Sequence, residues 1–232
     1  DGEVLAEPGY HRRSGLYYAP IGGVDAPRVP KTPTAEEADD ALEILREPLA
    51  EFPWAAPHDE AAAIAAILGI LARPAIDGPL LMTGISATAP GSGKGLLADV
   101  IALIATGRRP ARMSVPHERD GEALRKAILA LALAGDRVIL LDNVSEPLGT
   151  DALASIVSDM EVSDRLLGFS RNVKASCRAA WFATGNQLRY RGDMGRRVLP
   201  VEIDPACERP EERAFLCTDL RSSVAAQRAR LA

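Results

Sequence analysis

One stretch of this sequence, residues 80–97, limits what the chain can fold into more than any other. An apolar run leads into a loop of small residues with two glycines, and Lys94 then opens an apolar-periodic helix. Glycines let backbone N–H groups curl around phosphate oxygens, the helix N-terminus adds partial positive charge, and the lysine reaches the outer phosphates. The stretch therefore predicts a strand, a phosphate-binding loop and a helix. The residues expected at the phosphates are Pro90, Gly91, Ser92, Gly93, Lys94, Gly95 and Leu96.

Two positions depart from the usual form of such a loop, G-x-x-x-x-G-K-[ST]. Thr88 stands where the first glycine is usual, and Gly95 stands where a serine or threonine hydroxyl usually binds Mg²⁺. An ordinary glycine-rich turn is the alternative interpretation of so degenerate a loop. Because Gly95 has no hydroxyl, we expect weak Mg²⁺ binding with more water around the ion, and tighter binding of Mg²⁺-ATP if threonine is installed there.

Strands and helices alternate along the rest of the chain, and this order predicts the fold class. Such alternation implies an α/β fold, in which a parallel sheet has helices on both faces. The predicted strands are 80–85, 111–115, 137–142, 166–170, 177–184 (the last two around a turn at 171–174) and 197–203. The predicted helices are 94–106, 118–134, one through 153–160, and a C-terminal helix with Pro210 in its first turn.

Composition excludes several classes of function. The net charge of −5 over 232 residues argues against a generally basic nucleic-acid-binding surface. The three cysteines lack CxxC spacing and the three histidines are scattered, which argues against a zinc site or a disulfide framework and favours a reducing cytoplasm. The longest helix-like apolar stretch, 61–72, is shorter than the ~20 residues of a membrane span.

An acidic residue ends the apolar strand at 137–142. Asp142 is predicted to hold Mg²⁺, directly or through water, although a core strand ending in a solvated aspartate is the simpler alternative. Asn143 follows where many ATPases have a glutamate, and an amide cannot accept the proton of the attacking water. Glu118 and Glu122 are candidates for that base, although Glu122 would also form an ordinary i,i+4 pair with Lys126.

A second polar residue follows the strand at 177–184. Asn186 could orient a water or contact the terminal phosphate, and an asparagine in an ordinary turn after Gly185 is the alternative.

A cluster of arginines comes next: Arg189, Arg191, Arg196 and Arg197. Arg196 or Arg197 could be an arginine finger that reaches a neighbouring subunit's ATP. The alternatives are contacts to nucleic-acid phosphates, or a surface network of ion pairs with nearby carboxylates such as Asp193.

Taken together, these features resemble an AAA+ P-loop ATPase, and more closely the helicase-like domain of phage and mobile-element primase/helicase replication proteins. The resemblance covers nearly the whole chain. It lies in Gly9-Tyr10, Phe52-Pro53, residues 89–97, Leu141-Asp142-Asn143-Val144, residues 164–168, Ala183-Thr184-Gly185-Asn186 and residues 192–197.

That resemblance implies ATP bound between subunits of a ring and movement along single-stranded DNA. It makes Lys94 the phosphate-loop lysine, Asp142 the Mg²⁺ residue, Asn186 the sensor, and Arg196 or Arg197 the finger. A primase-like domain or protein is an implied partner. In related motors a loop between the last strands contacts DNA, and Arg171 and Lys174 are the charged candidates here, with a solvated hairpin tip as the alternative. Gly95, Asn143 and Gln187 depart from the pattern, so hydrolysis is expected less firmly than binding.

The resemblance and the patterns together divide the chain and predict its function. The predicted parts are an irregular lead-in or small hairpin at 1–34, a helical preface at 35–75 opened by a capping box at Thr34 and Glu37, a P-loop ATPase core at 76–205, and the C-terminal helix at 206–232. The chain begins at an aspartate in mid-pattern, which is consistent with a piece of a longer protein.

We expect a cytoplasmic, self-associating, ATP-dependent DNA helicase-type motor, with no membrane association. A non-hydrolysing, nucleotide-dependent DNA-binding or assembly subunit is the alternative. A monomeric P-loop kinase is a third hypothesis, although no acceptor site is evident.

Overall fold

The computed structural model describes residues 5, 7–19, 30, 32–114, 121–165, 172–207 and 209–232. The strands within these ranges are β1 (Gly9–His11), β2 (Leu16–Tyr18), β3 (Met82–Ala87), β4 (Ala111–Met113), β5 (Val138–Val144), β6 (Glu161–Arg165), β7 (Asn172–Ser176), β8 (Ala180–Asn186) and β9 (Val198–Ile203). The α-helices are α1 (Ala35–Arg46), α2 (Pro57–Leu71), α3 (Lys94–Thr106), α4 (Gly121–Ala134), α5 (Asp151–Ser158) and α6 (Leu220–Leu231).

Five strands form the central sheet in the order β4-β5-β8-β3-β9, and every neighbouring pair is parallel. Residues of β5 alternate between two cores because successive side chains of a strand point to opposite faces. Val138 and Leu140 pack with α2, α3 and α6, whereas Ile139 and Leu141 pack with α4 and α5. The chain is therefore an α/β protein with helices on both faces of a parallel sheet, as predicted, and this architecture is consistent with a P-loop NTPase-like fold.

The two helices before the sheet are part of its packing. Thr34 and Glu37 form the predicted capping box at the start of α1. Helix α2 packs against α3 and β9 within one apolar core. Its buried Asp59 accepts hydrogen bonds from the backbone N–H groups of Ala56, at 2.9 Å, and of Glu202 in β9, at 2.7 Å. This carboxylate ties the start of the helix to the edge of the sheet.

The region between α5 and β8 differs from the prediction. The sequence predicts a turn through 171–174, but residues 172–174 belong to β7, which pairs with β6 as an antiparallel hairpin with Glu161 opposite Ser176. The cause is alternation in β7, where Val173 and Ala175 are more buried than their polar neighbours, a period-2 pattern that favours a strand. Residues 166–171 lie outside the described residues.

The C-terminal helix also begins later than predicted. Pro210 opens a short 3₁₀ turn, Pro210–Glu212, and α6 begins only at Leu220. Asp219 caps α6 by accepting a hydrogen bond from the backbone N–H of Ser222, at 3.1 Å. Proline fits the first turn of either kind of helix, so the capping aspartate was the better boundary signal.

The remaining differences are at element ends. Strands β3 and β8 begin two and three residues later than predicted, whereas α3 has its predicted bounds. The lead-in forms a hairpin of β1 and β2, with Tyr10 opposite Tyr17. The predicted start of α4 at 118 lies outside the described residues, as does Val115 of the predicted strand 111–115. Across the described ranges, no helix is both long and apolar enough to cross a membrane.

Candidate nucleotide-binding site

The phosphate loop lies between β3 and α3, at the carboxyl edge of the sheet. Gly93 adopts a left-handed conformation, with φ of 91°, at the start of α3, and Gly91 has φ of 72°. Only glycine reaches this backbone region without strain, so both positions require it. The hydroxyl of Ser92 donates to the carbonyl of Ala89, at 2.5 Å, which closes the loop on itself. The loop therefore has the curled backbone that the glycine spacing predicts.

The side chain of Lys94 lies across this loop. Its ammonium group donates to the carbonyl of Ala89, at 3.0 Å, and to the side-chain oxygen of Asn186, at 2.8 Å. Burial lowers the pKa of Lys94 from its usual value. Because Ala87 and Asn186 are register partners in adjacent parallel strands, the strand ends bring the predicted loop lysine and the predicted sensor together.

Asp142 lies at the neighbouring strand end and is held by Thr184 of β8. The Thr184 hydroxyl donates to Asp142 Oδ1, at 2.7 Å, and accepts a hydrogen bond from the backbone N–H of Asn143, at 3.1 Å. Asn143 has φ of 55°, a left-handed conformation that asparagine tolerates better than most residues. The end of β5 is thus bent, and one hydroxyl fixes both the aspartate and the bend.

Arg112, in the middle of β4, contacts the same aspartate. Its Nη1 pairs with Asp142 Oδ2, and its Nη2 donates to the carbonyl of Gly95, at 3.3 Å, and to Asp99 Oδ1, at 2.7 Å. The guanidinium therefore joins β5 to the first turn of α3, directly beside Gly95. The carboxylates raise the pKa of Arg112 despite its partial burial, which alone would lower it.

Asp99 anchors this arginine from inside the protein. Its side chain is 0% exposed and also accepts hydrogen bonds from Arg221 Nε, at 2.7 Å, and from Arg109 Nη2, at 3.2 Å. Burial would raise the pKa of Asp99, but hydrogen bonds from Arg221 and Arg112 outweigh it, so the pKa is lower than usual. This buried ion cluster joins α3, β4 and α6.

Few oxygen ligands for Mg²⁺ are available around Asp142. The loop offers no hydroxyl at Gly95, and both Asp142 oxygens already pair with Arg112 and Thr184. In the part of the chain that the structure describes, no group of three or more His, Cys, Asp or Glu residues could hold a metal ion. These side chains do not fit a Mg²⁺ ion bound directly by the protein.

A cavity of about 260 Å³ lies beside the phosphate loop. Phe52, Pro53 and Leu96 form part of its lining, together with Glu211 from the segment before α6. A Cβ on Gly91 would lie 2.8 Å from a carboxylate oxygen of Glu211, so this wall closely approaches the loop. The cavity has an apolar side and a polar side, as pockets for small molecules usually do.

Arg196 and Arg197 lie at the opposite edge of the sheet. Strands β3 and β9 are parallel with Met82 opposite Val198, so the arginines precede β9 where β3 begins, while the loop follows the far end of β3. A strand of this length separates them by roughly 17 Å. Both pair with Asp193, and Arg197 also contacts the Ser158 hydroxyl. The structure therefore does not bring these two residues to the loop within one chain.

The other predicted residues lie apart from the site. Glu122 is 75% exposed and pairs with Lys126, at 2.5 Å, on the surface of α4. Lys174 pairs with Glu161 across the β6–β7 hairpin. Glu118 and Arg171 are outside the described residues.

Comparison with solved structures identifies proteins of similar fold. Two apo structures of the C-terminal region of NrS-1 match with a TM-score of 0.53 and 14% identity, over 92% of this chain and 47% of that chain. This likeness shows a shared fold. A JCV helicase structure matches with a TM-score of 0.42 and 15% identity, over 85% of this chain and 63% of that chain. This chain thus spans about half the length of the NrS-1 region. No family model matches the sequence, and a search of curated proteins finds no match.

Three residues of the site were missed by sequence reasoning: Arg112, Asp99 and Thr184. An aspartate in the apolar helix that follows the loop was an available signal, because a buried charge requires partners. Thr184 was part of the recognised Ala183–Asn186 motif without a role of its own. Nothing local in the sequence singles out Arg112.

Proposed function

We propose that this chain is the ATP-binding motor domain of a helicase-type DNA replication protein. The main support is the contact between Lys94 on the phosphate loop and Asn186, at 2.8 Å, next to the Asp142–Thr184 pair. Ligands of parallel α/β sheets bind at the carboxyl ends of the strands, which is where these groups converge. The phosphate loop, the strand-end aspartate and the strand-end asparagine are the parts that ATP-driven motors share.

ATP is the proposed ligand, with its phosphates on residues 90–95. The cavity lined by Phe52 and Leu96 adjoins that loop and would take the base and ribose. Lys94 would release Asn186 and the Ala89 carbonyl to meet the outer phosphates. Asn186 would then be free to orient a water or contact the terminal phosphate.

The proposed active assembly is a ring of identical subunits on single-stranded DNA. Arg196 and Arg197 lie far from the loop of their own chain, and an exposed arginine such as Arg196 (side chain 80% exposed) could complete a neighbour's site. A primase-like domain or partner follows from the resemblance of the motifs, and a cytoplasmic location follows from the cysteine pattern; both stay predictions.

The test is ATP hydrolysis measured against protein concentration, with and without single-stranded DNA, using Lys94→Ala as the control. A site shared between subunits predicts that the rate per subunit rises with concentration and with DNA, and that it is lost in Lys94→Ala. Light scattering should show an assembly. A rate per subunit that is independent of concentration, from a monomer, would contradict the shared site.

A second candidate function is supported by the surroundings of Asp142. Arg112 and Thr184 occupy its oxygens, and Asn143 cannot act as a base. These features suit a subunit that binds ATP without hydrolysing it and assembles on DNA when ATP is bound. ATP binding that requires Lys94, with DNA binding but no turnover, would favour this function over the motor.

A further inference from the structure

The space beside Gly95 is where a P-loop protein normally places its metal. In such proteins the hydroxyl after the loop lysine and the strand-end aspartate hold Mg²⁺ from two sides. Here the first group is absent, and the second is paired with a cation of the protein itself. The guanidinium of Arg112 lies between Gly95 and Asp142 and contacts both.

The Arg112 guanidinium lies directly beside the position that a Cβ at residue 95 would occupy. A Cβ on Gly95 would lie 3.6 Å from Arg112 Nη1 and 3.7 Å from Nη2, which is ordinary van der Waals contact. Glycine at this position thus leaves room for the arginine while removing the hydroxyl that would hold a metal.

Arg112 is held in this position from behind. Asp99 lies one helical turn after Gly95 on α3, is fully buried, and accepts a hydrogen bond from Arg112 Nη2 at 2.7 Å. Arg221 and Arg109 keep this carboxylate in place. Contacts with Asp142, Gly95 and Asp99 hold the guanidinium between β5 and α3.

The chemistry of a guanidinium suits the task of that missing cation. Three of its five N–H donors contact Asp142, Gly95 and Asp99, which leaves donors for a phosphate oxygen. Arginine pairs with phosphate through short, charge-assisted hydrogen bonds. A metal ion placed on Asp142 would, by contrast, meet the positive charge of Arg112 at close range.

We propose that the Arg112 guanidinium takes the place of the divalent metal ion in the nucleotide site, so that this chain binds ATP without Mg²⁺. The inference rests on the proposed function only in requiring that the phosphate loop binds ATP. It adds that the loop lysine and Arg112, both supplied by the protein, neutralise the phosphates.

The test is the dissociation constant of a fluorescent ATP analogue, mant-ATP, measured in excess Mg²⁺ and in excess EDTA. For the unmodified chain we expect the two constants to agree within about threefold, because the site's cation remains in EDTA. Binding that is more than about tenfold weaker in EDTA would overturn the inference while leaving ATP binding intact. Absence of binding in both buffers, or binding that survives Lys94→Ala, would instead overturn the proposed function.

Variants separate the role of Arg112 from a general loss of positive charge. Arg112→Gln should weaken mant-ATP binding in EDTA by about tenfold or more, because one charge-assisted contact to phosphate is lost. Arg109 also pairs with Asp99 but contacts neither Asp142 nor Gly95. Arg109→Gln removes the same charge as Arg112→Gln and is therefore the matched control. Its expected change is about threefold or less. Equal losses in the two variants would contradict a specific role for Arg112, and circular dichroism checks that both fold.

Discussion

The ammonium group of Lys94 donates a hydrogen bond to the side-chain oxygen of Asn186, at 2.8 Å. The two residues are 92 positions apart in the sequence and meet because β3 and β8 are adjacent and parallel. The contact connects the phosphate loop to the strand end at which the resemblance predicts a sensor. It also keeps the lysine partly buried, which has a measurable consequence.

ATP affinity should fall at alkaline pH earlier than for an ordinary lysine site. Burial lowers the pKa of Lys94 below its usual 10.5, and only the protonated ammonium attracts phosphate. Affinity is therefore fully present below the lowered pKa and declines as the pH rises through it. Titrations of mant-ATP across alkaline pH measure this decline. Lys94→Arg is the control, because its guanidinium stays protonated, and a parallel decline in that variant would assign the effect to another group.

Asp99→Asn should destabilise the fold by about 3 kcal/mol or more, because it leaves three arginines around a buried neutral amide. The pKa of Asp99 is lower in the folded state than in the unfolded state. The contribution of its carboxylate to folding stability is therefore fully present above the unfolded-state pKa near 3.8, and it is lost as the pH falls through the folded-state pKa. Urea unfolding at several pH values should show the gap between the variant and the unmodified chain narrowing in acid.

The control for this prediction is Asp193→Asn, an exposed carboxylate that also pairs with arginines. Surface ion pairs contribute little, so the melting temperature should change little. A gap for Asp99→Asn that stays constant down to strongly acidic pH would contradict the assignment of the effect to its carboxylate.

Local signals were enough to predict the phosphate loop and α3, whose bounds at 94 and 106 match the structure. Loop glycines, the following lysine and helical periodicity all lie within one short segment, so no tertiary knowledge was needed. Asp142 and Asn186 were also recognisable, because each ends an apolar strand and parallel strands bring such ends together. The capping box at Thr34 is another local signal, and the structure contains it.

Arg112 could not be found in this way, because its partners are distant in the sequence. It is 30 residues from Asp142 and 13 from Asp99, and its role depends on β4 lying next to β5. The sequence also misses β6 and β7, and predicts a turn through 171–174 where β7 begins, for a related reason. Short strands with alternating polar residues give a weaker signal than an apolar strand, and the neighbouring apolar residues at 177–184 dominated the pattern.

Thr184→Val should destabilise the protein by about 1–3 kcal/mol, because the valine keeps the shape but removes both hydrogen bonds of the hydroxyl. The backbone N–H of Asn143 and the Asp142 carboxylate would each lose a partner. Chemical denaturation measures the cost. Thr184→Ser retains the hydroxyl, so its free energy of unfolding should fall clearly less than that of Thr184→Val. Equal decreases in the two variants would show that packing of the threonine methyl group, and not the hydroxyl, stabilises this site.

Installing a hydroxyl at residue 95 should create Mg²⁺ dependence only when Arg112 is removed. The sequence alone predicts that Gly95→Thr tightens binding of Mg²⁺-ATP, but in the structure a Cβ at this position would already contact both terminal nitrogens of Arg112. In the double variant Gly95→Thr/Arg112→Ala the hydroxyl and Asp142 are both available, which is the usual pair of protein groups at a P-loop metal. We expect Mg²⁺ to tighten mant-ATP binding by about tenfold in the double variant and by about threefold or less in Gly95→Thr alone. Isothermal titration calorimetry with mant-ATP, in excess Mg²⁺ and in excess EDTA, gives the ratio of the two dissociation constants for each variant. If Mg²⁺ tightened mant-ATP binding tenfold in Gly95→Thr alone, the metal would have displaced Arg112 from Asp142. The guanidinium would then not be the cation of the site.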